Sequence, residues 1–240
     1  MKIAIPSYNR SKLCITHNLF PTHPVSVVVP ESQLQNYIEN LTNEYVISIP
    51  DKQDGNIAKK RNGILDKYEW EDIVMLDDDM LSFMRLTPQW VISDPMSEDE
   101  ILSFFTNAFK SMERVGYYVG WVYPVANKFF MAHKIHHHAF IIGTVMFFRK
   151  WHGLRFDEAC TAKEDYDITC KAISVHWGVC RFDDKCFKKK DYKGKGGVAQ
   201  QREESNIDEQ ATIYLTQKRP QLLKRNPKRR NEILIKHSLW

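Results

Sequence analysis

The chain has 240 residues, of which 43% are hydrophobic and 27% charged, with a net charge of +4. These proportions are typical of a globular protein with one large domain or two small ones. No apolar run approaches the roughly 20 residues of a membrane span, and the start is too soon broken by Pro6 for a signal peptide. Five cysteines without CxxC spacing favour reduced thiols, so we predict a cytoplasmic protein without a membrane partner.

The first half of the chain alternates short apolar runs with amphipathic ones. Four strands are predicted, at Lys2–Ser7, Val25–Val29, Tyr45–Ile49 and Ile73–Leu76. Helical spacing covers Ser32–Leu41 and Ile57–Tyr68. This alternation predicts an α/β fold whose mixed, mainly parallel sheet is flanked by helices. In such folds ligands bind at the carboxyl ends of the strands.

The second half is mixed in character. Ser97 and Glu100 predict a capping box for a helix that ends at Gly116, and Thr161 to Glu164 resemble a second capping box before a helix to about Val175. Strands are predicted at Tyr118–Tyr123, Phe140–Arg149 and Val179–Phe182, and a basic, glycine-rich loop at Lys188–Gly197.

The end of the chain is basic. A helix is predicted from Asp208 to about Gln217, followed by a proline-broken segment rich in lysine and arginine. Residues 1–180 hold 18 basic and 22 acidic residues, whereas residues 181–240 hold 16 and 8. This asymmetry indicates a polyanionic partner such as nucleic acid, with a solvated basic surface as the alternative. We expect a domain over residues 1–198 and a basic helical extension over residues 199–240.

Three consecutive carboxylates, Asp77, Asp78 and Asp79, directly follow the strand Ile73–Leu76. Neighbouring negative charges repel one another unless water or a cation neutralises them. Residues at a one-residue spacing share one side of an extended chain, so Asp77 and Asp79 can together hold a hard divalent ion. Phosphate oxygens would fill the remaining positions of such a Mg²⁺ or Mn²⁺ site. A solvated acidic turn is the alternative.

Two further clusters have groups suited to a nucleotide. The first strand runs into Pro6-Ser7-Tyr8-Asn9-Arg10, which offers a ring for a base, an amide for its edge and a cation for phosphate. Asp54-Gly55-Asn56 leads into a helix with Lys59-Lys60-Arg61-Asn62 in its first turns, where the helix dipole attracts phosphate. Taken singly, a plain turn and a capped surface helix explain them.

The fourth cluster is acidic and lies at the start of the helix after residue 163. A capping box alone would explain Glu164, but Asp165 is not needed for capping. A carboxylate is the usual general base for a hydroxyl acceptor. We therefore assign Asp165 as the candidate base and Glu164 as the second choice.

The order of these motifs over roughly residues 1–175 resembles nucleotide-sugar glycosyltransferases of the GT-A fold. Lys163-Glu164-Asp165-Tyr166-Asp167-Ile168-Thr169, followed by Gly194-Lys195-Gly196-Gly197, is similar to the TET-associated glycosyltransferases. That family is encoded mainly by bacteriophages and is thought to glycosylate hydroxymethylated pyrimidines in DNA. The resemblance implies a GT-A fold, a UDP-sugar donor, Mn²⁺ or Mg²⁺, and 5-hydroxymethylcytosine in DNA as acceptor, within a host cytoplasm.

The resemblance also implies roles for individual residues. Asp77 and Asp79 would hold the metal, and Asp165 would be the base. Independently of the resemblance, Lys193 and Lys195 on the glycine-rich loop could close over the diphosphate, with a mobile surface connection as the alternative. The remaining donor contacts would be Pro6, Ser7, Tyr8, Asn9, Arg10, Gly55, Arg61, Asn62, Asp77 and Asp78. DNA would be held by Lys189, Lys190, Lys228, Arg229 and Arg230. A further metal ligand is sought among His133, His136, His137, His138 and His176.

Other functions remain open at this level. The same fold could transfer sugar to a glycan or a protein. A nucleic-acid-binding module without turnover, or a metal-dependent nucleotidyltransferase, would also carry acidic residues at strand ends. Pyrophosphate release would reveal the nucleotidyltransferase, whereas nucleoside-diphosphate release would reveal the glycosyltransferase.

Overall fold

The computed structural model describes residues 1–41, 45–124, 126–190 and 206–236. The strands in these ranges are β1 (Lys2–Pro6), β2 (Ser26–Pro30), β3 (Val46–Ile49), β4 (Ile73–Leu76), β5 (Met80–Arg85), β6 (Val119–Val122), β7 (Ile135–His136), β8 (Val145–Phe148), β9 (Cys180–Phe182), β10 (Lys185–Lys189), β11 (Leu223–Arg225) and β12 (Ile233–Ile235). The helices are α1 (Leu34–Ile38), α2 (Ile57–Lys67), α3 (Glu98–Val115), α4 (Glu164–His176) and α5 (Ile207–Lys218).

Eight strands form one sheet in the order β3-β2-β1-β4-β8-β6-β9-β7. The strands β3, β2, β1 and β4 run parallel, as do β6 and β9. β8 lies antiparallel between β4 and β6, and β7 is antiparallel to β9. The predicted mixed, mainly parallel sheet is therefore confirmed. Since β1, β4, β6 and β9 point the same way, the loops that follow them meet at one edge of the sheet, which we call the carboxyl edge.

Alternate residues of the strands face two separate core layers. Ile3 and Ile5 of β1 pack in a layer with α1 and α3, whereas Ala4 between them packs in a layer with α2, α4 and α5. Both layers are apolar and almost fully shielded from solvent, which is the main source of stability for such a sheet. Helices therefore pack on both faces of the sheet. This packing fixes the position of the carboxyl edge, where a site is expected.

The helix ends follow the predictions in one case and depart from them in another. α3 begins with the predicted capping box of Ser97 and Glu100 and ends at Gly116, whose φ of +74° favours glycine. The second capping box is wrong, because Lys163 takes the N-cap position of α4 in a left-handed conformation, with φ of +59° and no side-chain cap. α1 is shorter than predicted because a 3-10 turn, Glu31–Gln33, precedes it.

Several strands also differ from the sequence prediction. The strand expected over Phe140–Arg149 is limited to β8, because Thr169 of α4 binds the backbone N–H of Ile141 before β8 begins. β5 and β7 were not predicted. β5 pairs with β10, so Lys188 and Lys189 lie in a strand and not in the predicted glycine-rich loop. The rest of that loop, beyond Lys190, lies outside the described residues.

The sequence suggested that the basic C-terminal segment is helical, but the structure shows that only part of it is. α5 is followed by a hairpin of β11 and β12, whose Leu223, Ile233 and Ile235 are buried in the same core layer as α4. Buried Asp167 of α4 pairs with Arg219 just after α5, at 3.2 Å. The described part of the C-terminal segment therefore packs on the sheet domain, while the boundary at residue 198 stays a prediction. None of the helices in the described ranges has the length and apolarity of a membrane span.

Candidate active site

The carboxyl edge brings the predicted clusters together. The loop after β1 begins with Ser7, and the aspartate triplet follows β4, the neighbouring parallel strand. The backbone N–H of Asp77 donates to the carbonyl of Thr144, just before β8, over 2.9 Å. Residues far apart in the chain thus meet at one edge, as expected for a ligand site in an α/β sheet.

The Asp78 side chain is buried and bonded within the protein. Its Oδ2 accepts a hydrogen bond from the Ser7 hydroxyl at 2.5 Å, and its Oδ1 accepts one from Arg10 at 3.1 Å. Burial raises the pKa of Asp78, while the bonds from Ser7 and Arg10 oppose the shift. The Ser7 hydroxyl also lies 2.7 Å from that of Tyr37. Asp78 therefore anchors the loop after β1, and its direct contact with a nucleotide stays a prediction.

Asp77 and Asp79 are left to form an acidic pair. The Oδ1 of Asp79 is buried and has no hydrogen-bond partner among the described residues. Burial, followed by the charge of Asp77, raises the pKa of Asp79 to about 6. Asp77 is partly exposed, 3.8 Å from Arg61 and 3.6 Å from Lys189. An unpaired buried carboxylate oxygen beside a second carboxylate is the feature that a cation would relieve.

The acidic pair fits a divalent ion that takes only two protein ligands. Carboxylate oxygens suit Mg²⁺ or Mn²⁺, and phosphate and water complete the octahedron in such sites. No group of three metal-binding side chains occurs within the described ranges. The histidines considered as further ligands bond elsewhere: His133 to Thr87, His137 to Val179, His138 to Trp177 and His176 to His152, while His136 contacts Arg181 and Asp183.

Arg61 connects three elements beneath the site. Its guanidinium forms a salt bridge with Glu164 and donates to the carbonyl of Gly143 at 2.7 Å. Both charged side chains are buried, so removing Arg61 would leave Glu164 without this partner, and removing Glu164 would leave Arg61 only the more distant Asp77. This pairing favours a positioning role for Glu164 and Arg61 over direct chemistry. Their predicted contacts with substrate stay predictions.

Asp165 occupies the first turn of α4 and faces the same edge. Its Oδ2 accepts a hydrogen bond from the backbone N–H of Gly143 at 3.1 Å, and its Oδ1 accepts one from Tyr166 at 3.0 Å. A Cβ at Gly143 would come within 2.6 Å of the Arg61 guanidinium, so a side chain here would displace that group. Gly143 was missed at the sequence level; its one signal is a glycine interrupting the apolar run 139–148.

Lys60, expected among the basic residues near phosphate, does not reach the surface in the structure. It is buried, and its ammonium group donates to the carbonyl of Ser7 at 2.6 Å and pairs with Asp54 at 3.3 Å. Burial lowers its pKa, and the charge of Asp54 opposes that shift. It also lies 5.0 Å from the centre of the Tyr8 ring, which is 45% exposed. Lys60 thus supports the loop that presents Tyr8 at the surface.

The remaining residues of the two predicted nucleotide clusters take different positions. Asn9 and Gly55 have φ of +53° and +108°, so both lie in tight turns. The Asn62 amide exchanges hydrogen bonds with the backbone of Phe156 and donates to Glu158 at 2.9 Å. This favours a supporting role for Asn62, and its contact with a nucleotide stays a prediction. Pro6, the last residue of β1, contributes no polar side chain.

The predicted nucleic-acid residues fall into two groups. Lys189 and Lys190 lie beside the acidic pair, since the N–H of Lys190 donates to the carbonyl of Asp79 at 2.8 Å. Lys228, Arg229 and Arg230 lie in the exposed turn between β11 and β12, where Arg230 pairs with Glu209 at 2.9 Å. The lysines therefore lie beside the candidate metal site, and the contacts of all five residues with DNA stay a prediction. Lys193 and Lys195 lie outside the described residues.

Comparison with known proteins agrees with this architecture. The model of the family described as TET-Associated Glycosyltransferase matches residues 1–197. The structure of S. aureus TarS 1–349 in complex with UDP aligns at a TM-score of 0.50 and 16% identity, covering 90% of this chain and 66% of that chain. The mannosyltransferase PcManGT from Pyrobaculum calidifontis, in complex with GDP-Man and Mn²⁺, aligns at 0.54 and 13%, covering 90% and 64%.

The chain therefore spans slightly less than two thirds of each of these glycosyltransferases. At 16% and 13% identity, the similarity to them shows a shared fold. A sequence search of curated proteins finds no match. The GT-A fold predicted from the motif order is confirmed by the sheet and by both neighbours. The family match covers most of the chain, and the protein belongs to the TET-associated glycosyltransferases.

Proposed function

We propose that the protein transfers a sugar from a UDP-sugar to the hydroxyl of 5-hydroxymethylcytosine in DNA, with a divalent cation. The observation that carries this proposal is the segment of Gly143 and Thr144. Thr144 accepts from the backbone of Asp77, and Gly143 donates to the side chain of Asp165. Two consecutive residues therefore bind the backbone of Asp77 and the side chain of Asp165.

The donor side of the reaction uses positive charge. Mg²⁺ or Mn²⁺, when held by Asp77 and Asp79, supplies Lewis-acid stabilisation of the departing diphosphate. Lys189, 3.6 Å from Asp77, adds a cation at the same place. The exposed ring of Tyr8, held over Lys60, offers a face on which the nucleotide base stacks. The known neighbours bound to UDP, or to GDP-Man and Mn²⁺, support this arrangement.

The acceptor side requires one proton transfer. The acceptor oxygen bonds to the anomeric carbon as the bond from that carbon to the diphosphate breaks, and UDP leaves. The Asp165 carboxylate takes the hydroxyl proton. Gly143 fixes the orientation of Asp165 through its N–H, so the base keeps a constant position relative to the acidic pair.

The identity of the acceptor rests on family membership and on charge. The family is named for its association with TET, and residues 181–240 hold 16 basic against 8 acidic residues. Phosphate binding by such a basic end gives affinity that falls steeply with salt. A base in duplex DNA must leave the stack before its hydroxymethyl group can reach Asp165, at a cost of about a few kcal/mol.

The experiment measures UDP release with Mn²⁺ and a panel of UDP-sugars, in the presence of DNA that contains either 5-hydroxymethylcytosine or cytosine. The proposal predicts release only with one donor and the hydroxymethylated DNA. Release with glycans or proteins and none with this DNA would assign the enzyme to another acceptor. Pyrophosphate in place of UDP would indicate nucleotidyl transfer and contradict the proposal.

A further inference from the structure

Two of the most exposed aromatic side chains among the described residues are adjacent. Phe129 is 84% and Phe130 is 67% exposed, although burial of a phenylalanine normally contributes about 1.5–3 kcal/mol. Both belong to the connection between β6 and β7. We call residues 123–124 and 126–134 the aromatic crossover. Neither ring packs in a core cluster of the described residues, so both rings are available to a ligand.

The aromatic crossover lies at the carboxyl edge, next to the candidate active site. The backbone of Tyr123 donates to Phe182, and that of Ala132 donates to Asp183, so both ends are fixed at the end of β9. Two strand spacings of about 4.8 Å separate β4 from β6 across β8. Tyr123, the first residue of the crossover, therefore lies about 10 Å from Asp77 along the edge.

The charge of this region suits a polyanion. Residues 123–138 contain two lysines, four histidines and no acidic residue, within a portion of the chain that has an acidic excess. The Lys128 ammonium lies 5.8 Å from the centre of the Phe129 ring. Arg181 lies over the Tyr123 ring at 5.2 Å, but its charge is already paired with Asp183. Lys128 and Lys134 are exposed. Exposed rings interleaved with cations are the pattern of single-stranded nucleic-acid binding.

We infer that the aromatic crossover is the platform that holds the nucleic-acid acceptor. Unstacked bases next to the modified one stack on Phe129 and Phe130, and their phosphates meet Lys128 and Lys134. Stacking compensates for the unpairing that brings the hydroxymethyl group to Asp165. This inference rests on the proposed function and goes beyond it, since it places the acceptor strand on particular residues. A surface that binds a second copy of the protein would have no need for charges of one sign, whereas a surface that binds nucleic acid needs basic ones.

The test compares DNA binding by variants at both edges of the sheet. Phe129→Leu with Phe130→Leu keeps apolar side chains but removes the flat rings, and Phe129→Tyr with Phe130→Tyr retains them. Trp177→Leu is the matched control, because Trp177 is 76% exposed and follows α4 at the opposite edge. Single-stranded DNA with one 5-hydroxymethylcytosine is titrated by fluorescence anisotropy, and UDP binding with Mn²⁺ is measured on each variant by calorimetry.

We expect the leucine pair to raise the Kd for DNA at least tenfold, by the loss of stacking. The tyrosine pair and Trp177→Leu should bind DNA like the unaltered protein, and all should bind UDP equally. If the leucine pair binds DNA within twofold of the unaltered protein, the platform is overturned and the proposed function is not. So would a loss of self-association with unchanged DNA affinity. Absence of DNA binding by the unaltered protein, with UDP binding intact, would overturn both the platform and the proposed acceptor.

Discussion

Gly143 donates its backbone N–H to the carboxylate of Asp165 over 3.1 Å, and the carbonyl of the same residue accepts from Arg61. One peptide segment therefore orients the candidate base and the guanidinium that pairs with Glu164. Thr144, the next residue, holds the backbone of Asp77. A small displacement of this segment should disturb both halves of the proposed reaction.

The first prediction concerns Gly143→Ala. The added Cβ would lie 2.6 and 2.8 Å from the two terminal nitrogens of Arg61, so the buried guanidinium must move. We expect turnover to fall at least tenfold and the free energy of unfolding to fall by about 1–3 kcal/mol, the usual cost of overpacking. Steady-state kinetics and urea unfolding measure the two effects.

A double-mutant cycle gives the control for that change. Because the clash needs the guanidinium, Gly143→Ala should cost little further stability in an Arg61→Ala background. Equal destabilisation in both backgrounds would mean that the alanine acts on the backbone and not through Arg61.

Asp165→Asn tests the proton acceptor directly. Asparagine keeps an oxygen for the N–H of Gly143 but cannot take a proton at neutral pH. We expect turnover to fall by about 10² to 10⁴, the typical contribution of general-base catalysis, while UDP affinity stays the same. Full activity of this variant would remove Asp165 from the base role.

Glu164→Gln is the comparison for that variant. It removes the closer of the two carboxylates beside the buried charge of Arg61 and leaves only Asp77, at 3.8 Å. We therefore expect a loss of stability of about 3–5 kcal/mol, whereas Asp165→Asn should cost much less. If Glu164→Gln were fully stable yet inactive, Glu164 and not Asp165 would be the better candidate base.

Asp79→Asn separates metal binding from folding. The unpartnered, buried Oδ1 of Asp79 lies in a cluster of negative charge, so removing that charge should leave the metal-free protein equally or more stable. We expect Mn²⁺ with UDP to raise the Tm of the unaltered protein, and we expect no such increase for Asp79→Asn. Thermal unfolding with and without Mn²⁺ measures both. Asp78→Asn is the contrast, since it should destabilise the protein through Ser7 and Arg10. An undiminished Mn²⁺ shift in Asp79→Asn would contradict the metal assignment.

The basic turn of the hairpin offers a further test. Replacing Lys228, Arg229 and Arg230 with alanine should weaken DNA binding and flatten the dependence of log Kd on log salt by up to about one unit per lost phosphate contact. The expected change is smaller for Arg230, which already pairs with Glu209. Anisotropy titrations at several salt concentrations give the slope. An unaltered slope would place DNA binding elsewhere on the protein.

Stability should decrease in mild acid because of His152. This side chain is buried, its Nδ1 accepts from the N–H of Leu154, and burial lowers its pKa from 6.5 to about 4. The unfolded chain therefore binds the proton first. The contribution of neutral His152 is complete above pH 6.5 and is lost as the pH falls from 6.5 to about 4, by up to about 3 kcal/mol.

Urea unfolding between pH 7 and pH 4 measures this loss. His152→Asn keeps an acceptor for the Leu154 N–H but does not titrate, so its stability should fall less steeply over the same interval. Parallel curves for the two proteins would show that other groups cause the acid sensitivity.

Local sequence patterns predicted those elements whose causes are local. β4 matched its prediction, Ile73–Leu76, because four consecutive apolar residues are buried on both faces. The limits of α3 followed from Ser97, Glu100 and Gly116. β5 was missed, and its pairing with β10 joins Met84 to Cys186 across about a hundred residues. The left-handed Lys163 at the start of α4 has no local signal either.

The residues of the candidate site also divide into those with a local sequence signal and those whose contacts are long-range. The joint role of Asp77 and Asp79 stays a prediction, whereas Asp78 is hydrogen-bonded to Ser7 and the buried Oδ1 of Asp79 has no partner among the described residues. Sequence could not reveal that Asp78 would meet Ser7, 71 residues earlier, or that Gly143 would lie between Arg61 and Asp165. Those contacts depend on strand order, which is set by packing over the whole sheet.

The most direct test of the central claim is the mass of the modified base. DNA with 5-hydroxymethylcytosine is incubated with Mn²⁺, a UDP-sugar and either the unaltered protein or Asp165→Asn, then digested to nucleosides for mass spectrometry. A sugar-sized mass increase on 5-hydroxymethylcytosine with the unaltered protein, absent with Asp165→Asn, is the predicted result. An unmodified nucleoside with every UDP-sugar, while the protein releases UDP onto another acceptor, would contradict the claim.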